Sequence, residues 1–277
     1  MKLERIFFPT DFSEASNEAL DRAVALAAAH GAKLRIFHAE RFGHDADALA
    51  ARRAEIDERI ERLRPRLRDG TAPEVQYGSV EASDAGGAIL GELAKSPPDL
   101  VVMATHGGGV LTQSVAEQVV RDAPCSVLTC RRRGRGRWPL EPGRVVVPVD
   151  FSDNSRRALD AARAWAGDRC AITLVHVVDT PRHPSLYDRS IVSPFRADPE
   201  LRGRIEDHLR QWAGEPVDQV IAVEGEVRTA LLDECRRVSA ILVVIGTRGS
   251  HSMPEHALGS TAERLTRTAS APVLTVR

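Results

Sequence analysis

The sequence has no stretch that approaches the ~18 uninterrupted apolar residues of a membrane span, which argues against a membrane-spanning helix. It has almost no excess charge: the formal net charge is −1, so neither a nucleic-acid surface nor an anionic-membrane surface is expected. It is poor in cysteine, and Cys125, Cys130, Cys170 and Cys235 form no CxxC pair and no metal-ligand spacing. Buried, reduced thiols in a cytoplasmic protein are therefore expected, in preference to a disulfide or zinc framework. The opening "MKLERIFFPTDF" meets Asp11 too early for a secretory signal. There is no GxxxxGK[ST], and Gly107-Gly108-Gly109 does not make a GxGxxG, so two common phosphate-loop signatures are missing. What is present is 277 residues that are 43% hydrophobic and 28% charged, a soluble, core-forming composition long enough for two ordinary domains.

The chain is written twice. "RIFFPTDFSEASNEALDRAVALAAAHGAKLRIFHAE", from Arg5, lies beside "RVVVPVDFSDNSRRALDAARAWAGDRCAITLVHVVD", from Arg144. Asp11 matches Asp150, and Ala19-Leu20 matches Ala158-Leu159, at one constant offset. "DLVVMATHG" matches "AILVVIGTRG", and "SVAEQVVRDAPCSVLT" matches "STAERLTRTASAPVLT". A repeat of this size is a domain, not a solenoid unit. The expected division is a first domain over 1–132, an Arg-, Gly- and Pro-rich linker over 133–142, and a second domain over 143–277. The arginines of the linker keep it solvated or contact an acidic partner.

Within each copy, short apolar runs alternate with helical stripes. "SEASNEALDRAVALAAAHG" places Ala19, Leu20, Ala23, Val24 and Ala27 on one helical face and closes on Gly31 as a C-cap. Continuous runs such as Leu100–Met103 and Ile241–Ile245 suit strands buried on both faces. The alternation predicts an α/β fold in each copy, a parallel sheet with helices on both sides.

In such sheets ligands bind beyond the carboxyl ends of the strands, where strand order reverses. Asp150, the stretch after His176, and the loop from Gly246 to Ser260 are therefore the places to look. That loop holds Gly246-x-x-Gly249, nine further residues, then Gly259-Ser260. Glycine lets a backbone approach a ligand closely. Ser260 with Glu263 forms a capping-box pattern, and a helix start offers unpaired N–H groups that suit phosphate. On these residues alone, a phosphate cradle and an ordinary glycine turn before a capped helix both stay open.

The pattern "PVDFSDNSRRAL … LVHVVD … LVVIGTRG … LGSTAERL … APVLTV" resembles the universal stress protein family, and both halves of the chain carry it. The resemblance implies a five-stranded parallel open sheet in each half and an ATP-binding signature G-x2-G-x9-G-[ST], met here by Gly246, Gly249, Gly259 and Ser260. It further implies Asp150 at the ribose or adenine side and Val177 against adenine. Gly246, Thr247, Arg248, Gly249, Gly259, Ser260 and Thr261 would lie around ribose and phosphates, with Pro148, Val149, Ile245 and Ala262 flanking them. Arg248 has a guanidinium that can fork onto phosphate oxygens or point into water. The implied ligand is ATP or a related adenine nucleotide, with or without magnesium. The implied assembly is an intrachain pseudo-dimer or a homodimer, and the implied role is a cytoplasmic stress sensor or scaffold with an unidentified protein partner. Slow ATP hydrolysis or self-phosphorylation, and a purely structural interaction role, are the alternatives.

The first copy departs from the signature. Ala104 and Gln113 stand where the first and third glycines belong, and five residues separate Gly107 from Gln113 where the second copy has nine. This half is expected to bind no ATP, or something smaller, with Asp11 persisting as a helix-start cap. His251 and His256 are expected to fill a solvated loop. His38 and His176 occupy matching places near the ends of corresponding strands and are expected to share a packing or hydrogen-bonding role. "DTPRHPSLYDRSIVSPFRADPE", unique to the second copy, is expected to be loop-like.

Overall fold

The computed structural model describes residues 3–40, 46–67, 69–105, 115–131, 142–166, 170–180, 193–247 and 258–277. The chain divides into two compact units, Met1–Glu141 and Pro142–Val276.

In the first unit the elements run β1 (Arg5–Pro9), α1 (Glu14–His30), β2 (Lys33–Glu40), α2 (Ala46–Leu63), β3 (Val75–Glu81), α3 (Ala85–Lys95), β4 (Leu100–Thr105), α4 (Val115–Asp122) and β5 (Ser126–Arg131). The strands lie in the order β3-β2-β1-β4-β5 and every pairing is parallel. The expected helical stripe exists: Ala19, Leu20, Ala23, Val24 and Ala27 of α1 are buried. Gly31 closes that helix in the left-handed region, at φ 64°, while the N–H of Ala32 reaches back to the carbonyl of Ala27. The helix begins differently from expectation. Ser13, not Asp11, is the N-cap, accepting from the N–H of Ser16. Asp11 lies two residues earlier and braces the turn that leads into the helix.

The second unit repeats this plan with β6 (Arg144–Pro148), α5 (Asp153–Ala166), β7 (Ala171–Asp179), α6 (Pro194–Ala197), α7 (Leu201–Ala213), β8 (Gln219–Gly225), α8 (Val227–Arg237), β9 (Ala240–Gly246), α9 (Ser260–Thr268) and β10 (Val273–Val276). The order within the unit is β10-β9-β6-β7-β8, again all parallel. One core cluster joins Val146, Val175, Ile221, Val243, Ile245 and Val273 of the strands to Leu231 and Cys235 of α8 and Ala262 and Leu265 of α9. The alternate strand residues Leu174, Leu242, Val244 and Leu274 are fully buried as well. The sheet is therefore covered on both faces, as its unbroken apolar strands require.

The Pro-rich stretch unique to this unit is not wholly loop. Residues 181–192 lie outside the described segments, but Pro194 opens α6 and Ser193 caps it by accepting from the N–H of Arg196. Glu224 of β8 holds that cap in place, accepting from the Ser193 hydroxyl at 2.5 Å and from the Phe195 N–H at 3.1 Å.

Candidate functional site

In the second unit β6 continues to β7 on one side, while β9 lies on the other side of β6. Strand order thus reverses between β6 and β9. Their carboxyl ends, Pro148 and Gly246, open the crevice where doubly wound sheets place ligands.

The residues after β6 form a tight, self-bonded turn. Asp150 Oδ1 accepts from the Ser152 N–H at 3.1 Å, from the Ser152 hydroxyl at 2.5 Å and from the Ser155 hydroxyl. Ser155 is buried and accepts in return from the Asp150 N–H at 3.1 Å. Phe151 is held at φ 64°, a region that costs a bulky residue energy. Its ring packs on His176 at 4.9 Å and on His208 at 4.8 Å between centroids. His176 donates from Nδ1 to the Val149 carbonyl at 2.8 Å, so its imidazole anchors the strand end.

The first unit builds the same turn. Asp11 Oδ1 accepts from the Ser13 N–H at 3.0 Å and from the Ser16 hydroxyl at 2.6 Å. Phe12 has φ 58°, and His38 Nδ1 donates to the Thr10 carbonyl at 2.8 Å. The common role expected for His38 and His176 is thus this hydrogen bond, with the ring contact to Phe12 or Phe151. Sequence reasoning missed Ser16 and Ser155, although both recur at the repeat offset that aligned the aspartates.

The glycine loop is closed at its base. Thr247 is buried, donates its N–H to the Val276 carbonyl at 3.1 Å, and accepts the Gly259 N–H at 2.8 Å. Leu258 packs on the core cluster beside this closure. Arg248 and Gly249, with His251 and His256, lie outside the described residues.

The start of α9 corrects the capping-box expectation. Gly259 is the N-cap, in extended conformation, and no side chain caps the helix there. Ser260 is already the first helical residue and is exposed, and the Glu263 N–H bonds the Gly259 carbonyl at 2.9 Å. A capping serine must stand just outside the helix in the extended region, and here glycine occupies that place. By contrast Ser13, Asp84 and Glu226 cap α1, α3 and α8 with their side chains.

Of the remaining expected residues, Pro148, Val149, Ile245 and Ala262 are buried, so they offer the crevice backbone rather than side chain. Val177 and Thr261 are half-buried. Gly246 has a reason of its own: a Cβ there would stand 2.7 Å from Asn154 Cβ and 2.9 Å from the Asn154 carbonyl oxygen. The strand end and α5 touch through that glycine. Asn154 was not singled out in the sequence because such an approach leaves no local pattern.

Among the described residues no group of three or more His, Cys, Asp or Glu is placed to hold a metal ion. No described helix is long and apolar enough to cross a membrane. Burial pushes the Cys130 thiol up to about 11 and that of Cys235 up to about 12. At pH 8 the thiolate of Cys130 is therefore only about one part in a thousand. Iodoacetamide at pH 8 should leave both residues unlabelled in the native protein and label them in urea, read by peptide mass spectrometry.

Two tandem doubly wound α/β units, the second with the base of its glycine loop tied at the switch point, define a duplicated α/β fold. The model of the Universal stress protein family matches residues 2–131 and again 142–277, and the chain belongs to that family as a tandem member. Universal stress protein YxiE of Bacillus subtilis is 27% identical over 152 residues, covering 48% of this chain and 98% of its own. Universal stress protein G of Escherichia coli O157:H7 is 30% identical over 148 residues, covering 48% and 97%. Among solved structures, a functionally unknown protein from Pseudomonas aeruginosa PAO1 matches with TM-score 0.70 and 17% identity, covering 99% of this chain and 92% of that one. A universal stress protein from Archaeoglobus fulgidus matches with TM-score 0.61 and 19% identity, covering 100% and 99%. At these identities the structures speak for the fold alone.

Proposed function

We propose that the second unit binds ATP or a related adenine nucleotide and that the protein acts as a nucleotide-responsive sensor or scaffold, without turnover. The observation that carries this reading is the start of α9. Gly259 sits at the N-cap with no side chain closing the helix, directly beside the base of a glycine loop at the switch point. An uncapped helix start leaves N–H donors and the positive end of the helix dipole directed at the crevice, which suits phosphate oxygens. Ser260, exposed at the first helical position, adds a hydroxyl there. Asp150 and Val177, at the ends of β6 and β7, form the side of the crevice assigned to ribose and base. Arg248 and Gly249 complete the signature within the loop. The first unit, with four fewer loop residues and Ala104 and Gln113 in place of glycines, is left without a nucleotide.

Thermal unfolding of the whole chain tests this. At 100 times its dissociation constant, ATP adds about 2.7 kcal/mol to the unit that binds it, a rise of roughly 5–10 °C in that transition. No shift with ATP, ADP or AMP would overturn the reading.

A further inference from the structure

We propose that the cleft between α8 and α9 is a phosphoryl-anion site held by Arg228 and Arg264, present in the second unit and filled in the first. The cleft measures about 240 Å³ and is lined by Glu226, Arg228, Thr229 and Arg264. The internal repeat gives its counterpart. Asp84 and Glu226 are the N-caps of α3 and α8, so Gly86 corresponds to Arg228. "SVAEQ" and "STAER" align Gln118 of α4 with Arg264 of α9. In the first unit the Gln118 amide lies on Gly86 so closely that an added Cβ would stand 2.0 Å from its Oε1. That space is closed by a neutral side chain on a residue that has none. In the second unit both positions carry guanidinium groups, and a cleft remains.

The acidic residue in the lining is already committed. Glu226 accepts from Arg228 Nε at 2.7 Å with one oxygen, and from the Thr229 N–H at 3.0 Å and hydroxyl at 2.6 Å with the other. Among the described residues no hydrogen bond or ion pair engages the Arg264 side chain. One Glu against two Arg leaves a positive charge in surplus among the lining residues. A doubly charged, multi-oxygen anion satisfies both guanidinium groups at once, which a single carboxylate does less well. Arg264 lies four residues along α9 from Ser260, on the same helical stripe and about one turn away. Such an anion is therefore either free phosphate or the distal phosphate of a nucleotide held at the strand ends. The second source rests on the proposed function, and the first does not.

Calorimetric titration of the whole chain and of Arg264→Gln, which installs the residue that the first unit carries, separates these cases. Inorganic phosphate, AMP and ATP are the probes, with ligand-free melting as the folding control. Free phosphate as occupant predicts about a tenfold loss of phosphate affinity in R264Q. Distal phosphate as occupant predicts about a tenfold loss of ATP affinity with AMP affinity unchanged. If phosphate and ATP bind R264Q as they bind the wild type, the proposal is overturned. It is equally overturned if the wild type neither binds phosphate nor prefers ATP to AMP. A wild type that binds phosphate through Arg264 but no nucleotide would refute the proposed function and leave this site standing.

Discussion

Replacing Gly246 by alanine is expected to destabilise the second unit by about 1–3 kcal/mol in the absence of any ligand. The added methyl would meet Asn154 Cβ at 2.7 Å, its carbonyl oxygen at 2.9 Å and its carbonyl carbon at 3.0 Å. Two of those three atoms are backbone of α5, so no change of rotamer relieves the contact. Either the end of β9 or the first turn of α5 must shift, and both border the crevice. Neighbouring Thr247 is tied to β10 and to Gly259, which limits how far the strand end can yield. Because the atoms in the way include the carbonyl, Asn154→Gly should not restore the loss in the double mutant. Urea unfolding should show the midpoint of this unit falling by roughly 1 M, at slopes usual for a domain of this size. A G246A protein of wild-type stability that has lost its nucleotide response would return Gly246 to a purely ligand-facing role.

This contact marks the limit of what the sequence discloses. The repeat, the parallel order and the buried strands were legible because each rests on a local period: apolar runs, an amphipathic stripe, a glycine C-cap. The placement of Asp150 and the glycine loop at strand ends followed from that plan. Five features were not legible, each for a physical reason. Gly246 is read as a ligand-approach residue from its spacing, whereas its Cβ space belongs to Asn154, some ninety positions away in the chain. Ser260 and Glu263 match a capping box, but a serine at the N-cap and a serine one residue inside the helix share that pattern. Only the extended backbone of Gly259 separates the two cases. Asp11 is read as a cap for the same kind of reason: Asp and Ser both favour helix starts, and the chain uses Ser13 for the cap and Asp11 to brace the turn. The α6 helix hides in a Pro-rich stretch because four residues are too few to show a period. The Arg228–Arg264 cleft is silent in either helix alone and stands out only against the Gly86–Gln118 contact of the other copy.

Gly259→Asp is expected to move ligand-free stability and nucleotide binding in opposite directions. The position has φ −62° and ψ 140°, open to any L-residue, so aspartate enters without backbone strain. Its N–H can still reach Thr247 and its carbonyl can still accept from Glu263, the two bonds that fix the loop base. What aspartate adds is the missing cap: a carboxylate over the first-turn N–H groups, favourable by a few tenths of a kcal/mol relative to glycine. The ligand-free melting temperature should therefore hold or rise by about 1 °C. The same carboxylate occupies the donors assigned to phosphate and sets a negative charge against it, so the ATP-dependent rise of roughly 5–10 °C should disappear. A residue whose only task is to start a helix would give the first result without the second. If the G259D protein is as stable as expected and still responds fully to ATP, the nucleotide does not sit at the start of α9.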